Sequence, residues 1–272
     1  MADYGVRVEE KDGVGVVVLD RPEKRNAMDE TMWSSLEEAA KKLAARPPRA
    51  VVVTGAGDRA FCAGMDVNPE NPQVSGLIKA MEKHDPAPVR KLIDRLSAAV
   101  RSLVSLPVPV IAAINGDAHG GGAELAVQCD LRVMDARAKI RFSEVRLGLM
   151  PDWGGVPALA RLAGTSVAAD LILTARAVDA AEALSLGLVN RVSEPGDALA
   201  HALCLAREIA RNGPLAVRHA LSVIRRIPDL SLQQALDLEA QTASELIAAG
   251  ECAHGVAAFL EKKEPVFPEP ED

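Results

Sequence analysis

The stretch Ile114-Asn115-Gly116-Asp117-Ala118-His119-Gly120-Gly121-Gly122-Ala123-Glu124-Leu125 decides the fold. An apolar, β-type run over residues 108–114 leads into it. Three consecutive glycines then open a helical pattern with a glutamate in its first turn. Glycine allows a backbone to come close to a ligand, because no side chain intervenes. The first N–H groups of a helix have no partner within it and lie at the positive end of its dipole. The stretch therefore offers aimed donors, room to reach them and a carboxyl group beside them. That is equipment for holding a developing oxyanion while an acid moves a proton.

Working outward, strand and helix patterns alternate. Residues 13–20 (GVGVVVLD) and 50–54 (AVVVT) read as strands, the second apolar on both faces as in a buried sheet. Between them a polar loop, 21–28, leads to Asp29, a fitting N-cap for a helix over 30–45 that Arg46-Pro47-Pro48 ends. Residues 55–66 form a long loop. Residues 68–88 contain four prolines and mixed charge, and the expectation there is a mobile lid or insertion. A helix is expected over 89–106. After the central stretch come strands at 130–134 and 140–142, short helices at 157–163, 167–175 and 180–186, and a strand at 188–192. Four helices follow, at 198–212, 215–227, 232–249 and 251–263, with no strand between them. The expectation is an α/β core over 1–195 with a parallel sheet and crossover helices, and a C-terminal helical region over 196–272.

Composition narrows the function. The 272-residue chain is 49% apolar and 25% charged, with net charge −7, which gives no support to nucleic-acid binding. Cys62, Cys129, Cys204 and Cys252 form no CxxC pair and read as reduced thiols. The N-terminus lacks a basic region followed by an apolar one, and no uncharged apolar run approaches the ~20 residues that span a bilayer, so a cytoplasmic protein is expected. No His/Cys/Asp/Glu set has metal-ligand spacing, and no metal or resident cofactor is expected. Gly55-Ala56-Gly57 follows a strand but lacks a third glycine and a helix opening there, which rules out a dinucleotide fingerprint.

Taken together, the motifs resemble the crotonase superfamily, the enoyl-CoA hydratase/isomerase family. They are Arg21-Pro22…Asn26-Ala27-Met28, Val53-Thr54-Gly55, Ala60-Phe61-Cys62-Ala63-Gly64-Met65-Asp66, PVIAAINGDAHGGGAELAVQCD at 109–130, Phe142-Ser143-Glu144…Leu147-Gly148-Leu149-Met150-Pro151, Ala180-Ala181-Glu182-Ala183…Gly187-Leu188-Val189-Asn190 and Ala258-Phe259-Leu260-Glu261-Lys262-Lys263. The resemblance implies a spiral of ββα turns, a helical trimerisation region, a homotrimer or a hexamer of paired trimers, and an acyl-CoA thioester as substrate.

It also implies roles. The N–H groups of Met65 and Gly121 would hold the thioester oxygen, each such donor being worth ~3 kcal/mol of barrier. Glu124 and Glu144 match the pair that adds water to a 2-enoyl thioester. One takes a proton from water and the other delivers one to the α-carbon, which two carboxyls in a poorly hydrated site can do when their protonation differs. Asp152 has two readings. It either caps a helix starting near Trp153, or, as in dienoyl-CoA isomerases, shuttles protons together with Glu144. The coenzyme A-binding set implied is Lys24, Arg25, Ala27, Ala63, Met65, Asp66 and Gly121, with Phe259 and Lys262 reaching the nucleotide, often from a neighbouring subunit. Asp66 is also expected to bond backbone N–H groups of its loop, and His119 to be a packed or hydrogen-bonded side chain. An acyl-CoA-binding protein without turnover stays as a third reading.

Overall fold

The computed structural model describes residues 4–269. Residues 1–3, at the start of the segment where no leader pattern is expected, lie outside the described residues. No described helix is long and apolar enough to cross a membrane.

Among the described residues ten strands form two sheets. They are β1 (Gly5–Lys11), β2 (Val14–Asp20), β3 (Ala50–Gly55), β4 (Ala60–Cys62), β5 (Val110–Ile114), β6 (Asp117–His119), β7 (Leu131–Asp135), β8 (Lys139–Arg141), β9 (Val178–Asp179) and β10 (Arg191–Ser193). The larger sheet runs β1-β2-β3-β5-β7-β10 and the smaller β4-β6-β8-β9. Both are parallel except for the β1–β2 hairpin and the β8–β9 pair. Eleven helices accompany them: α1 (Glu30–Ala45), α2 (Pro72–Glu82), α3 (Pro86–Val104), α4 (Gly121–Gln128), α5 (Gly155–Ala163), α6 (Thr165–Thr174), α7 (Ala180–Ser185), α8 (Ala198–Ala210), α9 (Pro214–Arg226), α10 (Leu232–Ala248) and α11 (Cys252–Glu261).

The repeating unit is a strand in the large sheet, a short strand in the small sheet, then helix: β3–β4–α2, β5–β6–α4 and β7–β8–α5. This is the expected spiral of ββα turns. The central stretch is one such turn. Ile114 ends β5, residues 117–119 form β6, and Gly120 turns the chain into α4 at φ 54°, ψ −128°, a conformation that suits glycine.

Local chemistry accounts for the elements. Asp29 caps α1 as expected, its side chain accepting the Met32 N–H at 3.0 Å. The 68–88 segment differs from the expected lid or insertion, since it contains α2 and the start of α3. Pro72 and Pro86 open helices, capped by Asn71 and Asp85, because proline lacks only an N–H that the first turn does not use. The seven-residue strand β1 and the short strands β4, β6 and β9 go beyond the sequence reading. At two or three residues, β4, β6 and β9 are too short to show periodicity, and β1 alternates only weakly before the Asp12-Gly13 turn.

The main core lies between the sheets and α1, α3 and α4, with Trp33, Phe61, Phe142, Leu36 and Leu103 among its fully buried side chains. A second cluster on the opposite face of the large sheet joins Val52, Ile111, Ala113 and Val133 to Ala202, Leu205 and Ala206 of α8. The first helix of the C-terminal region thus packs on the sheet. Arg225 of α9 ties the next helix down through Asp130, at 2.6 Å, and the Leu106 carbonyl.

Candidate active site

Four segments converge on the opening of α4. Two loops bring in the first donor. Met28 donates its N–H to the Gly64 carbonyl at 2.8 Å, Asp66 donates to the Met28 carbonyl at 3.0 Å, and Ala63 donates to the Arg25 carbonyl at 3.0 Å. Met28 therefore engages the residues on either side of Met65, and the Met65 N–H points away from it, as a parallel bridge requires. Gly64, at φ 87°, lies so near the α4 opening that a Cβ there would stand 3.0 Å from the Gly121 nitrogen. Among the described residues, neither the Met65 nor the Gly121 N–H has a backbone acceptor.

Asn26 anchors the first loop. It is fully buried in the left-handed conformation and spreads its side chain over the Arg21 N–H and the carbonyls of Ala56, Ala60 and Phe61. Asp66 accepts the Asn68 N–H at 3.0 Å and an Arg21 N–H at 2.6 Å. Burial alone would raise its pKa, but the Asn68 N–H and the Arg21 guanidinium hold it below the usual carboxylate range. Arg21 also pairs with Asp29 at 3.3 Å, so one buried cation joins the loop to the start of α1.

Glu124, 1% exposed, projects from α4 onto the 152–155 turn. One carboxylate oxygen accepts the Asp152 N–H at 3.2 Å, and the other accepts those of Trp153 and Gly155, both at 2.8 Å. Burial raises its pKa to about 8, reinforced by the charges of Glu144 and Asp152 and opposed by the turn's N–H groups. Glu144 opens the 3-10 turn Glu144–Leu147, with its carboxylate against Gly120. Both Glu144 oxygens are buried without a protein N–H or hydroxyl donor, and the Glu124 carboxyl, when it carries a proton, is the group able to supply one. Burial, with the Asp152 charge, raises the Glu144 pKa also. Two carboxyls that resist ionisation thus meet beside two unpaired backbone donors, which suits proton transfer next to a developing oxyanion.

Asp152 departs from one of its two expectations. It caps no helix: α5 starts later, its N-cap is Gly154, and the acceptor at its opening is the Glu124 carboxylate. The Asp152 side chain is exposed at the mouth of the site, where the flanking protein desolvates its carboxyl and raises its pKa. Its carbonyl accepts from the Ser97 hydroxyl at 2.9 Å. Lys24 and Arg25 are exposed on the first loop and Ala27 is buried within it. Phe259, 80% exposed, and Lys262 lie on and just after α11, and among the described residues no hydrogen bond or ion pair brings them to the loop in a single chain. His119 lies on β6 with its ring 3.6 Å from Asp117. Sequence reasoning missed Gln128, which donates to the carbonyls of both Glu124 and Trp153 and joins α4 to the turn. It also missed Ser97. Neither has a motif signal, since the contacts that matter, Gln128 to Trp153 and Ser97 to Asp152, span 25 and 55 residues of sequence.

The sequence profile of the enoyl-CoA hydratase/isomerase family matches residues 9–270. The chain belongs to this family. A Thermus thermophilus protein provisionally named an enoyl-CoA hydratase is 38% identical over 259 residues, 95% of this chain and 98% of that protein. The short-chain-enoyl-CoA hydratase of Clostridium acetobutylicum is 34% identical over 93% of this chain and 94% of its own. The crystal structure of an enoyl-CoA hydratase from Bacillus anthracis superposes with a TM-score of 0.87 at 32% identity, covering 96% of this chain and 98% of the other. The crotonase fold and an enzymatic role follow from membership of the family.

Proposed function

We propose that the protein hydrates 2-trans-enoyl-CoA thioesters to 3-hydroxyacyl-CoA. The observation that carries this is the convergence on the opening of α4 of Glu124, buried, and Glu144, half-buried with both carboxylate oxygens enclosed, each resisting ionisation. In this reading the thioester oxygen sits on the N–H groups of Met65 and Gly121. Glu124 and Glu144 hold a water between them. Glu124 takes its proton as the oxygen bonds to the β-carbon, and charge moves onto the thioester oxygen. Glu144, which carries the pair's proton while Glu124 is ionised, then protonates the α-carbon, and the proton taken up by Glu124 passes back to Glu144, so that one water is added and no group leaves. Lys24, Arg25, Ala27, Ala63 and Asp66 line or support the coenzyme A wall. Phe259 and Lys262 serve the nucleotide of a neighbouring protomer. Three copies, or two such trimers, would cover the apolar α9–α10 groove of about 310 Å³, and the exposure of Ile224, Leu236 and Ile247 supports such an assembly.

The test is crotonyl-CoA mixed with purified protein, with loss of the conjugated-thioester absorbance followed and the product identified by mass. Loss with gain of one water is expected. Intact coenzyme A thioester binding without hydration of any chain length would refute the reading. A second reading, double-bond isomerisation by Glu144 and Asp152, is favoured by the free Asp152 carboxyl. It predicts turnover of 3-enoyl- or 3,5-dienoyl-CoA that survives Glu124→Gln and is lost in Asp152→Asn.

A further inference from the structure

We infer that the Trp153 indole closes the acyl end of the site and restricts the protein to short 2-enoyl thioesters. This rests on the hydratase reading for the position of the thioester. Three ring atoms of Trp153 lie 2.4 to 2.5 Å from where a Cβ on Gly121 would stand, so the ring is packed against the α-carbon of the residue assigned to the oxyanion. The indole is therefore a near neighbour of the reacting carbons.

The backbone that carries the ring is fixed: the Trp153 main-chain N–H donates to Glu124 at 2.8 Å, and the Trp153 carbonyl accepts from Gln128 at 3.1 Å. Behind it stands Trp33, fully buried, edge to face with ring centroids 4.6 Å apart. Trp153 is itself 3% exposed, Gly121 is buried and Glu124 is 1% exposed, so the space around the reacting atoms is enclosed. A packed interior yields to extra methylenes only at a cost. A longer acyl tail must displace the indole, and Trp33 leaves it no place to go. Each methylene refused by an apolar pocket is worth about 10- to 200-fold in discrimination.

The test compares crotonyl-, 2-hexenoyl- and 2-decenoyl-CoA on the wild type and on Trp153→Leu, which keeps an apolar side chain in the gap, with Trp153→Phe as a milder variant. Wild-type kcat/KM is expected to fall at least tenfold from the four-carbon to the ten-carbon substrate, and the decenoyl-to-crotonyl ratio to rise at least tenfold in Trp153→Leu. Equal wild-type rates on the two substrates, or an unchanged ratio in a folded variant, overturns the inference. Calorimetric binding of butyryl- and decanoyl-CoA separates it from the reaction itself. If nothing is hydrated, the hydratase reading fails alone when butyryl-CoA still binds at least tenfold tighter than decanoyl-CoA in the wild type. Tighter binding of decanoyl-CoA removes the inference whatever the chemistry.

Discussion

Glu124→Gln separates the two jobs of this carboxyl. The amide has one acceptor in place of two. With its oxygen kept toward Trp153 and Gly155, its nitrogen faces the Asp152 N–H, now 3.2 Å from a second donor instead of an acceptor. An orphaned buried N–H costs about 1–3 kcal/mol, so at pH 5 the variant is expected to be less stable than the wild type by that amount. The opposite effect grows with pH. In the fold Glu124 holds its proton up to about pH 8, against an ordinary value of 4.5. The native state therefore binds that proton more tightly than the unfolded chain. The stabilisation is complete below about pH 4.5, declines as pH rises, and is gone above about pH 8. At ~1.4 kcal/mol per pH decade the loss is on the order of several kcal/mol, shared in part with Glu144. Glutamine does not titrate and escapes it. Urea unfolding at pH 5, 7 and 9, at one protein concentration and followed by the fluorescence of Trp33 and Trp153, should show the variant less stable at pH 5 and more stable at pH 9. A constant offset across that range would refute the account of Glu124. Hydration should fall about 10²- to 10⁴-fold, the usual contribution of a positioned base.

Gly155→Ala puts a Cβ 2.4 Å from the Glu124 Cγ, and overpacking of about 1–3 kcal/mol should accompany near-complete loss of hydration with unchanged far-UV circular dichroism. Arg21→Met leaves Asp29 and Asp66 facing each other without their buried cation; a loss of about 3–5 kcal/mol, read by urea unfolding at pH 7, is expected to shrink as acid protonates Asp66. Asp152→Asn should change hydration by less than tenfold on crotonyl-CoA, since its backbone rather than its carboxyl engages Glu124; a far larger loss would shift weight to the isomerase reading.

Much of the fold was legible because its signals are local. Asp29 lies beside the helix it caps, and the strand at 50–54 reads as apolar on both faces because Val51 and Val53 enter the main core while Ala50 and Val52 pack toward α8. The glycines of 120–122 show in the sequence as a run, although the groups that demand them come from elsewhere in the chain. A Cβ on Gly122 would meet the Cys62 carbonyl at 2.1 Å, and one on Gly121 would meet the indole. What stayed hidden depends on distance in sequence. Asp152 followed by a helical pattern looks like a cap, yet the acceptor comes from Glu124, 31 residues before the Gly155 N–H it receives. Prolines at 72 and 86 suggest interruption until the helices they open are seen. Among the described residues no hydrogen bond or ion pair brings Phe259 or Lys262 to the site within one chain, and a contact made from another chain would leave no mark in a single sequence.

The three backbone N–H groups on Glu124 bear on how the protein could drift over generations. A lineage that discarded the reaction could not discard this carboxyl freely, because the turn at 152–155 is folded around it. Its loss would first register as a weakened protein, and survivors would carry compensating replacements in the turn or at Gln128. A relative that keeps this glutamate need not have kept the chemistry, whereas one that lacks both it and the matching turn has abandoned a shared scaffold part as well as an activity.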